Sequence, residues 1–314
     1  MNIIEYYKTI RASIQKRMPD VILRMEKGPG GRTCISISRE GEKVSPLFCL
    51  EDYHDRYLNG RPLEETIQDI LHDWKDFLNL VPDISKDDIY NWEKAKHKIF
   101  LTLVAEKGFR PEGRLTRNWL DMELTVRYCI SFENGTLQSF PVSGRLAGEY
   151  WNIPEKEIFC TAGKNTETFF SPSLKSLYQI LSGYIFADKE KEAHSGEAEI
   201  IYGNGPLEDS LYVLSNCHNL YGATAICYQG LLAGLYRRFG RPFYIIPCSI
   251  HETLLYPEPE DGDREGPFSP KNVREVIFNV NRNNVQPRER LSDSLYYYDG
   301  QKLTIAGTGG NDDE

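Results

Sequence analysis

The stretch Leu124-Thr125-Val126-Arg127-Tyr128-Cys129-Ile130-Ser131-Phe132-Glu133-Asn134-Gly135-Thr136-Leu137-Gln138-Ser139-Phe140-Pro141-Val142 holds the strongest turn signal in the chain. Two runs rich in β-branched and aromatic residues flank Glu133-Asn134-Gly135, and Asn-Gly tolerates the positive φ angles of a tight hairpin. Strands joined so closely run antiparallel, because a parallel pair needs a crossover connection. Working outward, links of this kind dominate. The fold class read from them is α+β, with mostly antiparallel, hairpin-built sheets, packed helices and strand-strand-helix units repeating in pattern near 20–80, 122–165 and 210–240.

Upstream, spacings of three and four place Ile3, Ile4, Tyr7, Ile10 and Ile14 on one face of a helix over 3–17. Strands follow at about 20–26, 32–38 and 43–50, the first two separated by Gly28-Pro29-Gly30-Gly31, which is no phosphate loop because no Gly-Lys-Ser/Thr follows. Gly60 and Pro62 open a helix with Leu63, Ile67, Ile70, Leu71, Trp74 and Leu78 on its stripe. Ser85 with Asp88 caps another, expected to run through Ile89, Trp92, Ile99, Phe100 and Leu103 to Gly108.

Downstream of the hairpin, Ser143 and Pro154 introduce two short helices, and Pro172-Ser173 a third bearing Leu174, Leu177, Ile180 and Leu181. Strands are expected at 211–215, 223–227, 243–246 and 253–256, with a helix over Leu231, Leu232, Leu235 and Phe239 ended by Gly240. Ser269-Pro270 caps a helix with Val273, Val276, Ile277 and Val280, and strands at 294–298 and 302–306 close the ordered chain. The expected organisation is an N-terminal unit over 1–110 and a central hairpin-plus-helices unit over 111–186. A charged loop at 187–199, a C-terminal unit over 200–306 and a disordered tail at 307–314 complete it.

Composition narrows function by exclusion. A hydrophobic share of 40% supports a sizeable core, and 37 basic against 46 acidic residues leave a formal charge of -9, which repels a phosphate backbone. The densest basic group, Arg237-Arg238 with Arg241, suits a helix C-terminus, so no nucleic-acid partner is expected. No apolar run is long enough to span a bilayer and no secretory leader opens the chain, so a soluble protein with no membrane partner is expected. Seven cysteines scattered mostly through apolar runs fit small hydrophobes in a reducing cytoplasm.

Chemistry concentrates at Pro247-Cys248-Ser249-Ile250-His251-Glu252, a polar knot between two apolar strands, and at Arg288-Glu289-Arg290-Leu291-Ser292-Asp293 before the strand Leu295-Tyr296-Tyr297-Tyr298. One reading is nucleophilic catalysis, with Ser249 or Cys248 attacking, His251 as base and Asp293 or Glu252 orienting the imidazole, though no Gly-x-Ser-x-Gly elbow exposes the serine. Another is zinc held by Cys217, His218, Cys248 and His251, without the paired Cys-x-x-Cys spacing such sites use. A third is a binding site in which His251, Glu252, Asn281, Arg290 and Asp293 face a partner. The plainest has His251 and Glu252 tying strands together and Ser292-Asp293 capping a turn. Glu258, Glu260, Asp261 and Asp263 lack the alternation of a calcium loop, and His54, His72 and His97 read as isolated, solvent-exposed side chains.

Several of these segments resemble a known family. Val44-Ser45-Pro46, Leu50-Glu51-Asp52-Tyr53, Gly60-Arg61-Pro62-Leu63-Glu64-Glu65, the 247–255 knot, Val280-Asn281 and the 290–298 run are similar to an uncharacterised family of Firmicutes proteins. That family is a domain of unknown function found in gut clostridia and their mobile elements, distantly similar to the YtpQ-type proteins. The resemblance covers nearly the whole chain and implies no activity and no catalytic residues. Its members read Pro-Ser-Ser-Ile-His-Glu where this chain has Cys248, which weakens the Cys248 nucleophile and the zinc set and leaves Ser249, His251 and Glu252 in common.

The expectation is therefore a non-catalytic cytoplasmic binding or regulatory protein, associated with mobile elements, whose partner is a protein or small ligand and which needs no metal or cofactor. The alternatives are a hydrolase using Ser249 and His251, and a structural or assembly protein.

Overall fold

The structure is a computed structural model. It describes residues 1–306 except 28–31, 41–44, 81–84, 106–112, 134, 178–179, 181–206, 208–210 and 260–268. The expectations for the glycine run at 28–31, the charged loop at 187–199, the acidic residues from 260 and the tail at 307–314 lie outside the described residues. The α+β class holds: among the described residues, helices pack on three antiparallel sheets. Among the described residues no helix is long and apolar enough to cross a membrane. The chain divides into two compact units, one made of Met1–Ala95, Lys107–Arg114 and Cys129–Asn152, the other of Lys96–Glu106, Leu115–Tyr128 and Ile153–Glu314.

In the first unit, α1 (Ile3–Arg17) starts where Asn2 accepts a hydrogen bond from the Glu5 N–H at 3.0 Å. Ile10 and Ile14 are buried as expected, Tyr6 takes the place of Tyr7 in the buried stripe, and Ile3 and Ile4 are exposed. Strands β1 (Val21–Lys27), β2 (Thr33–Arg39) and β3 (Leu47–Cys49) form a meander in that order. The chain turns directly from β3 into α2 (Leu50–Leu58), followed by α3 (Leu63–Leu80). Ile67, Ile70 and Trp74 of α3 join Ile35 and Ile37 of β2 in one core, and the indole N–H of Trp74 donates to the Ile37 carbonyl at 3.1 Å. His54, expected in solvent, is buried here with its ring 4.8 Å from that of Tyr6, because Tyr6 and Tyr57 supply an aromatic slot for it.

The helix expected from Ser85 to Gly108 is short. Ser85 does accept the Asp88 N–H at 3.1 Å, but α4 (Lys86–Tyr90) and α5 (Trp92–Ala95) end there, and Ile99–Ala105 is strand β4. A run as apolar as Ile99-Phe100-Leu101-Thr102-Leu103-Val104 is buried on both faces, so its periodicity does not separate helix from strand. The anticipated hairpin is present as β6 (Met122–Glu133) and β7 (Thr136–Pro141), with Gly135 at φ +75°. A two-residue turn, Leu120-Asp121, joins β6 to β5 (Thr116–Trp119).

In the second unit, β6 lies between β4 and β5. The edge strand β4 is not left bare. Thr166 of α6 (Glu155–Phe169) accepts the Leu101 N–H at 2.8 Å and Thr224 accepts the Leu103 N–H at 2.9 Å, while Asn165 donates to the carbonyls of Lys96 and Ile99. Pro172–Ser176, expected as a helix, is strand β8; its proline is tolerated because β8 is the edge of a six-stranded sheet. That sheet continues through β9 (Tyr212–Asn216), β11 (Thr253–Pro257), β10 (Phe243–Pro247), β12 (Tyr296–Tyr298) and β13 (Leu303–Ile305).

The strand expected at 223–227 is instead part of a 3₁₀ helix, Gly222–Cys227, since the Ala223 N–H goes to the Ile250 carbonyl and Thr224 to β4 rather than to a ladder. Then come α7 (Leu231–Phe239), ended by Gly240 as expected, and α8 (Pro270–Asn283), capped by Ser269 through the Asn272 N–H.

Replacing Trp74 tests the first unit's core. Trp74→Phe, which strands the Ile37 carbonyl, is expected to cost about 1–3 kcal/mol, and Trp74→Ala about 3–5 kcal/mol, in urea unfolding followed by circular dichroism.

Candidate functional site

The polar knot is the turn between β10 and β11, and most of its backbone amides have named partners. The N–H groups of Cys248 and Ser249 donate to the Glu252 carbonyl, and the Ser249 hydroxyl accepts the His251 N–H at 3.0 Å. Ile250 donates to the Glu289 carbonyl at 2.8 Å and accepts from the Ala223 N–H, and Ser215 of β9 donates to the His251 carbonyl at 2.8 Å. This crowding explains Gly222: a Cβ there would overlap Ser215 Oγ and the His251 carbonyl oxygen.

The loop from Asn216 to Gly222 orients the imidazole. Asn216, almost fully buried, accepts the N–H groups of His218 and Leu220 and donates to the Leu220 carbonyl, winding the loop on itself. Tyr221 is held at φ 53°, and its N–H donates to His251 Nδ1 at 3.3 Å. A lone pair at Nδ1 assigns the hydrogen of a neutral ring to Nε2. The two rings stack with centroids 5.9 Å apart, and the Arg127 guanidinium lies 5.5 Å from the tyrosine centroid.

The second segment gathers at the end of α8. Asn281, 2% exposed, donates to the Ser292 carbonyl at 2.9 Å and to Asp293 Oδ1 at 2.7 Å. Arg282 pairs with Asp293 Oδ2 at 2.8 Å, and the Arg290 guanidinium caps the carbonyls of Val285 and Arg282. Behind them stands Asp121, whose carboxylate accepts three hydroxyls: Ser292 at 2.7 Å, Ser294 at 2.8 Å and Tyr296 at 2.6 Å. Burial, reinforced by Asp121 beside it, pushes the Tyr296 phenol far above its ordinary range.

Asn281, Arg290 and Asp293 thus share one neighbourhood, His251 and Glu252 share the turn, and the Ile250–Glu289 bond links the two. Among the described residues the His251 ring is bonded only to the Tyr221 N–H, Ser249 Oγ serves the turn, and both Asp293 oxygens are engaged by Asn281 and Arg282. Burial, helped by the Glu252 charge, pushes the Cys248 thiol up to about 12, so little thiolate forms. Among the described residues no three metal-ligating side chains converge, so Cys217, His218, Cys248 and His251 are not assembled as a set. Sequence reasoning missed Asp121, Asn216, Tyr221 and Arg282. The one available signal was Leu120-Asp121, two residues between apolar runs, which reads as a turn but does not say what its carboxylate meets.

The model of a family described as "Family of unknown function (DUF5688)" matches residues 4–300. No curated protein and no solved structure matches the chain.

Asp121→Ala leaves the fully buried Tyr296 hydroxyl without its acceptor and is expected to lower the unfolding free energy by about 1–3 kcal/mol, against less than about 0.5 kcal/mol for the exposed Glu252→Ala, both measured in urea. The raised Tyr296 phenol also sets an alkaline limit. Its stabilising contribution is intact below the ordinary tyrosine value of 10.0 and falls as pH rises above it, because the unfolded chain releases a proton that the fold retains. Tyr296→Phe is expected to shallow that decline by roughly 1.4 kcal/mol per pH unit in urea titrations above pH 10.

Proposed function

We propose that this chain, which belongs to the DUF5688 family of unknown function, is a non-catalytic cytoplasmic binding or regulatory protein working through the 248–252 turn and the 281–293 segment. The observation that carries this reading is α8 itself. Of its residues Val273, Val276, Ile277 and Val280, Ile277 is buried and Val273 half-buried, while Val276 (58%) and Val280 (39%) face outward, as does Phe278 (50%) on another side of the helix. Valines one turn apart and a phenylalanine in solvent form an unusual cost for a helix that ends at a tight polar network. The Arg282 guanidinium, 4.6 Å from the Phe278 ring, adds the aromatic and arginine character that protein interfaces favour.

The neighbouring polar groups support binding rather than turnover. For hydrolysis, Ser249 Oγ would need His251 as its base and the imidazole would need a carboxylate, yet each is committed elsewhere in a closed hydrogen-bond pattern. Glu252 is left exposed at the tip of the turn, able to meet a donor on a partner. Seven free thiols accord with a reducing compartment. The setting in mobile elements of gut Firmicutes rests on the resemblance alone.

The test uses the full chain as bait in the native bacterium, alongside Val276→Asp, His251→Ala and Asp293→Ala. One partner held by the wild type, lost from Val276→Asp and weakened by the other two is the expected result. Identical captures from all four baits would remove the interface. A fluorophosphonate that labels Ser249 and fails on His251→Ala would establish the hydrolase instead.

A further inference from the structure

The first unit holds a second site, independent of the proposed binding surface. Cys34 of β2 and Cys49 of β3 are direct partners in the antiparallel ladder, and their sulfurs lie 2.9 Å apart. Facing residues in such a ladder have Cα atoms about 4.5–5.5 Å apart, within the range of about 4.4–6.8 Å that a disulfide requires. A bond between them therefore forms without moving the strands. We propose that Cys34 and Cys49 are a redox-active dithiol that reduces small-molecule disulfides by thiol–disulfide exchange, Cys49 attacking and Cys34 resolving.

The roles follow from position. Cys49 is partly exposed and sits at the N-cap of α2, where the helix dipole favours an anion. Cys34 is fully buried and donates its S–H to Cys49 Sγ, so the shared hydrogen stays on Cys34 and the negative charge gathers on Cys49. That bond holds the Cys49 thiol below its ordinary value and, with burial, lifts Cys34 well above its own. The charged groups around the pair are mixed: Arg32 favours the thiolate, whereas Glu51 and Asp52 in the first turn of α2 oppose it. Arg32 pairs with Asp52, and Glu51 accepts the Thr33 N–H at 2.6 Å, so both carboxylates are partly engaged.

In the reaction, the Cys49 thiolate attacks one sulfur of the small disulfide, forms a mixed disulfide and expels the first thiolate. The Cys34 thiol then gives up its proton, and its sulfur attacks the Cys49 sulfur, breaking the mixed disulfide and expelling the second thiolate. Counted from the dithiol, the chain gives up two electrons and two protons, that of Cys49 on ionising and that of Cys34 in the second step, and the two expelled thiolates take up those protons and leave as thiols.

The probe is glutathione disulfide, added to the full chain under native conditions, followed by acid quench, alkylation in denaturant and peptide mass mapping. A Cys34–Cys49 cross-linked peptide is expected, with the exposed Cys160 and Cys217 as internal references that form only mixed disulfides. Cys34→Ser should trap glutathione on Cys49, and Cys49→Ser should leave Cys34 fully alkylatable. Recovery of both cysteines alkylated in the wild type while Cys160 and Cys217 carry glutathione would overturn the site. Glutathione accumulating on Cys34 in Cys49→Ser as readily as on Cys49 in Cys34→Ser would overturn the assigned roles. The wild-type map does not depend on the variants folding.

Discussion

The Asp121 carboxylate, accepting hydroxyls from Ser292, Ser294 and Tyr296, is the constraint on which the second unit turns. It sits in a two-residue turn whose other member, Leu120, is held at φ 55°, a conformation costly for a side chain with a Cβ. A buried tyrosine hydroxyl needs an acceptor, and a carboxylate satisfies it more strongly than a neutral oxygen does. With Ser292 and Ser294 fixed on Asp121, the intervening Asp293 side chain is turned toward Asn281 and Arg282. The outer surface at the end of α8 is thereby shaped from behind by a residue that takes no part in it.

A comparable economy governs the His251 turn. The Ile250 and His251 carbonyls and the Ile250 amide are taken by the 3₁₀ helix, β9 and the segment before Arg290, and the imidazole is aimed by one backbone N–H from a strained tyrosine. Tyr221 adopts a left-handed backbone, and next to it Gly222 can carry no side chain because Ser215 and the His251 carbonyl approach so closely. The polar residues of the turn are thus held by partners on three other segments of the chain.

What could be read from residues alone was local. The β6–β7 hairpin, α3, the Ser269 cap and the Gly240 stop all follow from turn chemistry, capping or a clear 3.6-residue stripe. Where the signal was only apolar content it misled: β4 and β8 look helical until strand partners far along the chain claim them, and small residues at 222–227 look extended until Thr224 is spent on β4. The apolar residues of α8 were legible, but a pattern of valines does not say whether the chain itself covers them, and Val276 and Val280 are exposed. Likewise the 247–252 and 281–293 segments stood out as polar residues beside apolar strands, whereas Asp121, Asn216 and Tyr221 act through contacts that no local window contains.

The Asp121 bonds span 171 to 175 positions of sequence. Contacts so distant close the largest loops and form late in folding. During synthesis the Leu120-Asp121 turn emerges long before its three donors leave the ribosome, so the carboxylate keeps water as its partner until they follow. A chain that ends before the 292–296 segment therefore lacks all three hydroxyls that the Asp121 carboxylate accepts.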